Sequence, residues 1–286
     1  MYILEPYDDT LSYILNHGSY KKNRTNSAGL SVFGMQTRYD ISSHFPLLTR
    51  RKIWPKSIFA ELLWFISGST NNNNLMALGS KIWNPWQDDS FEKEKGFADG
   101  SLGPLYGFQL RHFGGSYNKG IEDSDGYGHG GVDQLANMVE LLKKDPNSRR
   151  NLFSLWNPKQ IGDMRLPPCH YTFQVYANNG KLSGMLTQRS CDFPIGAPAN
   201  IQFYSAIIYM LAQQCGYEPH EFVHSVGDAH IYTNQIMQVE SYLSREKPDS
   251  PKLNLNKAKD IDSYVLEDFE VENYNPLGPI AIPVEV

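Results

Sequence analysis

The stretch Tyr171-Thr-Phe-Gln-Val-Tyr-Ala-Asn-Asn-Gly-Lys-Leu-Ser-Gly-Met-Leu-Thr187 reads as a β-hairpin. Phe173, Val175 and Ala177 alternate along one arm, and Leu182, Gly184 and Leu186 along the other, the period of a strand with one face buried. Between the arms, Asn179-Gly180 supplies two residues that tolerate the positive φ a two-residue hairpin turn requires. Continued outward, that pairing sets Cys169 opposite Ser190 and His170 opposite Arg189. A single bulge shifts the register by one residue without separating thiol from guanidinium.

A thiol beside an arginine favours its anionic form, because nearby positive charge stabilises the thiolate. The guanidinium of Arg189 and the hydroxyl of Ser190 are also donors suited to a phosphate. One site would then combine a soft nucleophile with an anion anchor. The competing reading makes Cys169 a small buried hydrophobe and Arg189 a surface charge, and the hairpin alone leaves both open. A hydrolase built on adjacent Cys169-His170 fits poorly, since neighbours on a strand point to opposite faces.

The 286 residues carry 41% hydrophobic, 20% charged and 13% aromatic side chains with a net charge of −5. This composition belongs to a folded globular chain, here expected to be a single domain over residues 1–286. The acidic balance argues against a broad nucleic-acid surface, which needs clustered cations. Three cysteines, Cys169, Cys191 and Cys215, offer neither a disulfide framework nor zinc spacing. With no signal-peptide pattern at the N-terminus and no membrane-length apolar run, the expectation is a cytoplasmic protein.

Residues 56–67 read as a buried helix with Ser57 as candidate cap and Gly68 as stop. Residues 133–144 read as an amphipathic helix, and residues 202–215 as another buried helix closed by Gly216. Residues 87–132, rich in Gly, Asp, Ser and Lys, read as a long surface excursion.

Glu61 sits inside the first apolar helix pattern, and carboxylates are rarely buried without a partner or a purpose. Trp83 and Trp86 are either core aromatics or walls for a flat ligand. Arg149-Arg150 is either a solvated cationic segment or part of an anion site.

Leu166-Pro-Pro-Cys-His170 resembles the nucleophile motif of the thymidylate synthase family. Gln188-Arg-Ser-Cys-Asp192, with Gly196 and Pro198-Ala-Asn-Ile201, is similar to that family's phosphate, folate and pyrimidine segment. Arg24-Thr25 followed by Leu30-Ser-Val-Phe-Gly34 resembles its N-terminal phosphate loop. Glu61-Leu-Leu-Trp-Phe65, Gly103-Pro-Leu-Tyr-Gly107, Ser148-Arg-Arg150, Gly227-Asp-Ala-His-Ile-Tyr232 and Pro283-Val-Glu-Val286 follow in family order.

The resemblance implies an α+β fold, a large twisted mixed β-sheet flanked by helices that pairs sheet to sheet in a homodimer. It implies reductive methylation of dUMP to dTMP with 5,10-methylenetetrahydrofolate as co-substrate and no metal, since the folate carries the carbon and then the hydride. Cys169 is then the nucleophile at uracil C6, with Glu61, Tyr106, Asp228, His170 and Arg189 in the catalytic set. Arg24, Gln188, Arg189, Ser190, Asn200, His230 and Tyr232 would hold dUMP, joined by Arg149 and Arg150 of the second subunit. Arg51, Ile82, Trp83, Trp86, Asp192, Ile195, Gly196 and Val286 would hold the folate. Departures from the family pattern are Ala199 in place of a phenylalanine that packs on the folate, the order Phe193-Pro194, Asn84 in place of Asp, and Gln235 in place of His. Space beside the folate admits water, so dUMP hydroxymethylation is the alternative reading. A catalytically silent nucleotide- or RNA-binding relative is a further one.

Overall fold

The structure, a computed structural model, describes residues 6–22, 28–124 and 126–285. Six strands form one mixed sheet: β1 (Ser19–Lys22), β2 (Ala28–Asp40), β3 (Leu152–Ser154), β4 (His170–Asn178), β5 (Lys181–Asp192) and β6 (Glu218–Tyr232). Their order is β1-β2-β6-β5-β4-β3. All neighbours are antiparallel except β5 and β6, which run parallel. A parallel pair needs a crossover rather than a tight turn, and the 20-residue helix Gly196–Cys215 provides it.

Six helices of the described residues matter for the site: α1 (Pro6–His17), α2 (Pro55–Ile66), α3 (Tyr106–Arg111), α4 (Gln134–Lys144), α5 (Gly196–Cys215) and α6 (Ile236–Leu243). The crossover helix α5 is buried along most of its length, and Gly216, with φ of 78°, closes it in the left-handed conformation. It packs against β5 and β6, α1 packs on β2, and α2 packs against α5 and α3. One apolar cluster runs from Tyr7 to Phe269 beneath these helices. The opposite sheet face keeps Tyr176 and Phe33 largely exposed. No helix among the described residues is long and apolar enough to cross a membrane.

The hairpin forms where the sequence places it, with Asn179 at φ 50° and Gly180 at φ 75°. Its register holds from Asn178↔Lys181 to Thr172↔Thr187 and then shifts by one, so that His170 pairs with Gln188. Cys169 therefore faces Arg189 rather than Ser190, and its carbonyl accepts the Arg189 N–H at 2.8 Å. This bulge turns His170 into the core while Cys169 lines a cleft.

Other expectations need adjustment. Ser57 does not cap α2, which begins at Pro55 with its cap at Trp54. Pro needs no N–H at a first helical position, and Ser57 Oγ instead meets Ser80 Oγ at 2.7 Å. α5 starts six residues before the expected Gln202, because Gly196-Ala-Pro-Ala carries the first turn. The 87–132 excursion is not wholly superficial: Leu102, Leu105, Tyr106 and Phe108 are buried, and α3 lies inside it. Asp133, whose side chain accepts from Ala136 N, caps α4.

Candidate active site

The C-terminal ends of β5 and β6 converge beside the start of β2. Ser190 pairs with Asp228 and Asp192 with His230 across the parallel ladder, while Ser31 pairs with His230 and Gly29 with Tyr232 across the antiparallel one. These strand ends line a cleft of about 440 Å³ that also takes in Cys169, Arg189, Leu166, Trp86, Lys21 and Glu285. Larger depressions, of about 600 and 760 Å³, lie on the open sheet face and beside Arg111, away from the cysteine.

Arg189 is fixed from several sides. Its Nε donates to Pro168 O at 2.9 Å and its Nη2 to Pro167 O at 2.8 Å, with Cys169 Sγ 3.6 Å from Nη2. The Trp156 ring faces the guanidinium carbon at 5.7 Å, within cation–π range. A positive charge so placed favours sulfur as thiolate. The Cys169 N–H donates to Tyr106 Oη at 2.9 Å, which ties the cysteine's backbone to α3.

Behind the cysteine lies an aromatic stack. Tyr106 stacks on His170 at 4.3 Å and on Phe65 at 4.8 Å. His170 Nδ1 is 2.7 Å from Tyr204 Oη. Burial, with His224 nearby, holds the His170 ring down to about 3, so it is neutral at ordinary pH. Burial pushes the Tyr106 phenol well above its usual range. Glu61 accepts the Trp83 Nε1–H at 2.6 Å. Burial pushes its carboxyl up to about 7, although the Trp83 hydrogen bond works against that rise. An acid poised there exchanges protons readily near neutrality.

At the ends of β2 and β6, Asp228 receives hydrogen bonds from Lys21 Nζ at 2.6 Å and Ser31 Oγ at 2.7 Å. Burial would raise its carboxyl, but these donors hold it below the ordinary value. The His230 ring nitrogen lies 3.3 Å from Asp228 Oδ1, and the Tyr232 ring lies edge-on to His230. Between β5 and α5, Gln188 Nε2 donates to Asn200 Oδ1 at 3.1 Å, and Gln188 Oε1 meets His224 Nε2 at 2.8 Å. This relay fixes the orientation of the Asn200 amide.

The third side suits a flat ligand with N–H groups. Trp83 and Trp86 pack at 5.4 Å, with Ile82 beside the same core. Burial raises the Asp192 carboxyl to about 6, against hydrogen bonding from Gln235 and the charges of His230 and Arg51. Ile195 and Gly196 open α5 next to it. Arg51 is buried and donates to Pro194 O at 2.7 Å, bracing the turn between Asp192 and Gly196. Phe193 packs inward, stacked on Tyr7 at 5.4 Å, so its ring does not replace the one lacking at Ala199. Asn84 accepts from Asn72 Nδ2 at 3.1 Å.

Arg149 and Arg150 are exposed beside β3 and do not line the cleft of this chain. Arg24 and Val286 lie outside the described residues. Lys21, Ser31, Trp156 and Glu285 were not among the sequence candidates. Lys21 and Ser31 were legible only through the β1–β2 pairing, and Trp156 carried no local signal. Among the described residues, no group of three His, Cys, Asp or Glu side chains stands together as a metal site.

The family model for thymidylate synthase matches residues 5–286. A thymidylate synthase of Homo sapiens is 43% identical over 284 residues, covering 98% of this chain and 90% of that protein. One of Mycoplasma mobile is 43% identical over 304 residues, covering 99% of this chain and 100% of the relative. One of Equine herpesvirus 2 is 42% identical over 284 residues, covering 98% and 96%.

Proposed function

The chain belongs to the thymidylate synthase family, and we propose that its cleft methylates dUMP to dTMP through a covalent bond from Cys169 to uracil C6. The observation that carries this reading is the Arg189 guanidinium 3.6 Å from the Cys169 sulfur. The protein is a folate-dependent methyltransferase, and 5,10-methylenetetrahydrofolate is its co-substrate.

The C5–C6 double bond of uracil is a Michael acceptor. Cys169 thiolate adds at C6, and the electron pair displaced onto C5 makes that carbon the nucleophile for the incoming one-carbon unit. Once C5 carries the carbon, loss of its proton breaks that carbon's bond to the folate nitrogen and leaves an exocyclic methylene on the Cys169-bound pyrimidine; hydride delivered to this carbon expels the sulfur and restores the C5–C6 double bond. Glu61, with its carboxyl near 7, passes protons to and from the pyrimidine through water, while Tyr106 and His170 hold the cysteine strand in place. The folate supplies the carbon and then the hydride.

Arg189 and Ser190 grip the 5′-phosphate, a role that the family resemblance also gives to Arg24. His230 and Tyr232 take the deoxyribose hydroxyl, oriented by Asp228. Asn200, held by Gln188, reads the uracil edge: its fixed amide offers a donor and an acceptor to O4 and N3–H. The residues on the third side fit a pterin: Asp192 accepts from ring N–H groups, while Ile82, Trp83, Trp86, Ile195, Gly196 and Val286 provide walls. Arg51 serves this side through the turn it braces.

We read the chain as one domain that pairs through its open sheet face. Exposed Tyr176 and Phe33, with the groove between Arg38 and Met185, support a second copy there, whose Arg149 and Arg150 would reach this chain's phosphate site. The reading is tested by incubating the protein with dUMP and methylenetetrahydrofolate. Dihydrofolate appearing together with dTMP supports it, and the absence of any changed nucleotide contradicts it. The alternative rests on Ala199, half-buried at the start of α5 where the family pattern has a phenylalanine: without that ring, water rather than hydride would capture the exocyclic carbon. That outcome would release tetrahydrofolate and 5-hydroxymethyl-dUMP instead.

A further inference from the structure

Gln235 is wholly buried just before α6, and its amide reaches three separate parts of the cleft wall. Its Oε1 accepts the Tyr232 N–H at 3.1 Å. Its Nε2 donates to Asp192 Oδ2 at 3.0 Å and to Pro283 O at 2.9 Å. A primary amide has two N–H donors and one carbonyl acceptor, so each of these groups has its partner. Next to it, Asn234 Nδ2 donates to Glu285, which lines the cleft.

We infer that Gln235 is a positioning residue that clamps the C-terminal segment at Pro283 to Asp192, and so sets where that segment closes over the folate side of the cleft. The inference rests on the reading of Asp192 as a folate contact. With Oδ2 engaged by Gln235, the carboxylate is held in one orientation and Oδ1 is turned toward the Ile195 N–H, 3.4 Å away. That second oxygen, weakly engaged, is the one a ligand N–H can take. The remaining Gln235 donor carries the tail on the same nitrogen, so ligand contact and tail position are set by one planar group.

An imidazole at this position could not do the same. Neutral histidine has one donor and one acceptor, and protonated histidine has two donors and no acceptor. Either form leaves Tyr232 N, Asp192 or Pro283 O without its partner. The amide is therefore specific to a three-way clamp.

The test compares wild type with Gln235→Leu, the isosteric Gln235→Glu and Gln235→His. First, carboxypeptidase release of the C-terminal residues from the ligand-free proteins reads the clamp directly. Release should be about tenfold faster or more in the Leu and Glu variants, as loss of buried hydrogen bonds opens the tail. Second, the KM for methylenetetrahydrofolate should rise about tenfold or more in the same variants. The dissociation constant for dUMP, measured by calorimetry, should stay within about twofold of wild type. Gln235→His should fall between wild type and Gln235→Leu in both readouts. Tail release unchanged in all three variants would overturn the clamp. So would a loss shared equally by dUMP and folate, which marks a general structural role. Should wild type prove inactive, the proteolysis arm still decides the clamp, so the two failures are separable.

Discussion

Nη2 of Arg189 lies 3.6 Å from Sγ of Cys169, and the backbone N–H of Arg189 donates to the carbonyl of Cys169 at 2.8 Å. The hairpin thus holds thiol and cation together twice, once through the ladder and once through side chains. Pro167 and Pro168 carbonyls aim the guanidinium, so its charge stays near the sulfur even without a bound anion.

Removing that charge should leave a less reactive thiol. In Arg189→Gln, alkylation of Cys169 by iodoacetamide at pH 7 is expected to slow about tenfold or more. Arg189→Lys should recover little of the loss, because an ammonium lacks the planar fork that donates to two carbonyl partners. The alkylation rate of Cys169, followed by peptide mass, is the readout. An unchanged rate in the Gln variant contradicts the electrostatic role.

The amide of Asn200 is oriented by Gln188, itself engaged by buried His224. In Asn200→Asp, the group assigned to the pyrimidine in the proposed function becomes acceptor-only. Selectivity should then move about tenfold or more toward dCMP, whose exocyclic amine is a donor. Competition between dUMP and dCMP measures this, and unaltered uracil preference would remove the assigned role.

Glu61 links activity to stability through pH. Its carboxyl stands at about 7 because burial favours the neutral acid. The folded chain therefore binds this proton more tightly than the unfolded chain does. The contribution to stability is present in full below the ordinary carboxyl range and is lost as pH rises through about 7. Relative to Glu61→Gln, wild type should lose about 3 kcal/mol between pH 4.5 and pH 8, read by urea unfolding. Turnover of the Gln variant should fall about a hundredfold. Parallel stability profiles for the two proteins would refute the burial argument.

Much of this site was legible in sequence because its signals are local. Asn179-Gly180 and the alternation on each side set the hairpin, and the hairpin set Cys169 beside Arg189. The bulge at residue 171 was not legible: it follows from how β4 meets α3 and α5, where His170 is drawn onto Tyr106 and Tyr204. The sheet order was also beyond local pattern, since β6 joins β5 only through the long crossover α5. Trp156 behind Arg189 and Gln235 between Asp192 and the tail are contacts of tertiary origin. They connect residues far apart in sequence, at positions where neither spacing nor residue type marks a site. Ser57 failed as a cap for a local reason, because Pro55 begins the helix two residues earlier.

Ala199 lies half-buried at the start of α5, and Phe193 turns away from the cleft to stack on Tyr7. In Ala199→Phe, an added ring should fill space that water can enter. The KM for methylenetetrahydrofolate is expected to drop about threefold to tenfold, with any 5-hydroxymethyl product reduced. A rise in KM would mean that the space is already filled by the bound folate.

The central claim is that carbon is transferred to C5 of a uracil held by Cys169 and then reduced. Mass analysis of the nucleotide formed from dUMP and methylenetetrahydrofolate tests it most directly, with Cys169→Ser as control. The account predicts a product heavier than dUMP by one methylene unit from wild type, and a serine variant that binds dUMP yet yields almost none. Recovery of dUMP unchanged from wild type, or methylated product formed by the serine variant at the wild-type rate, would contradict it.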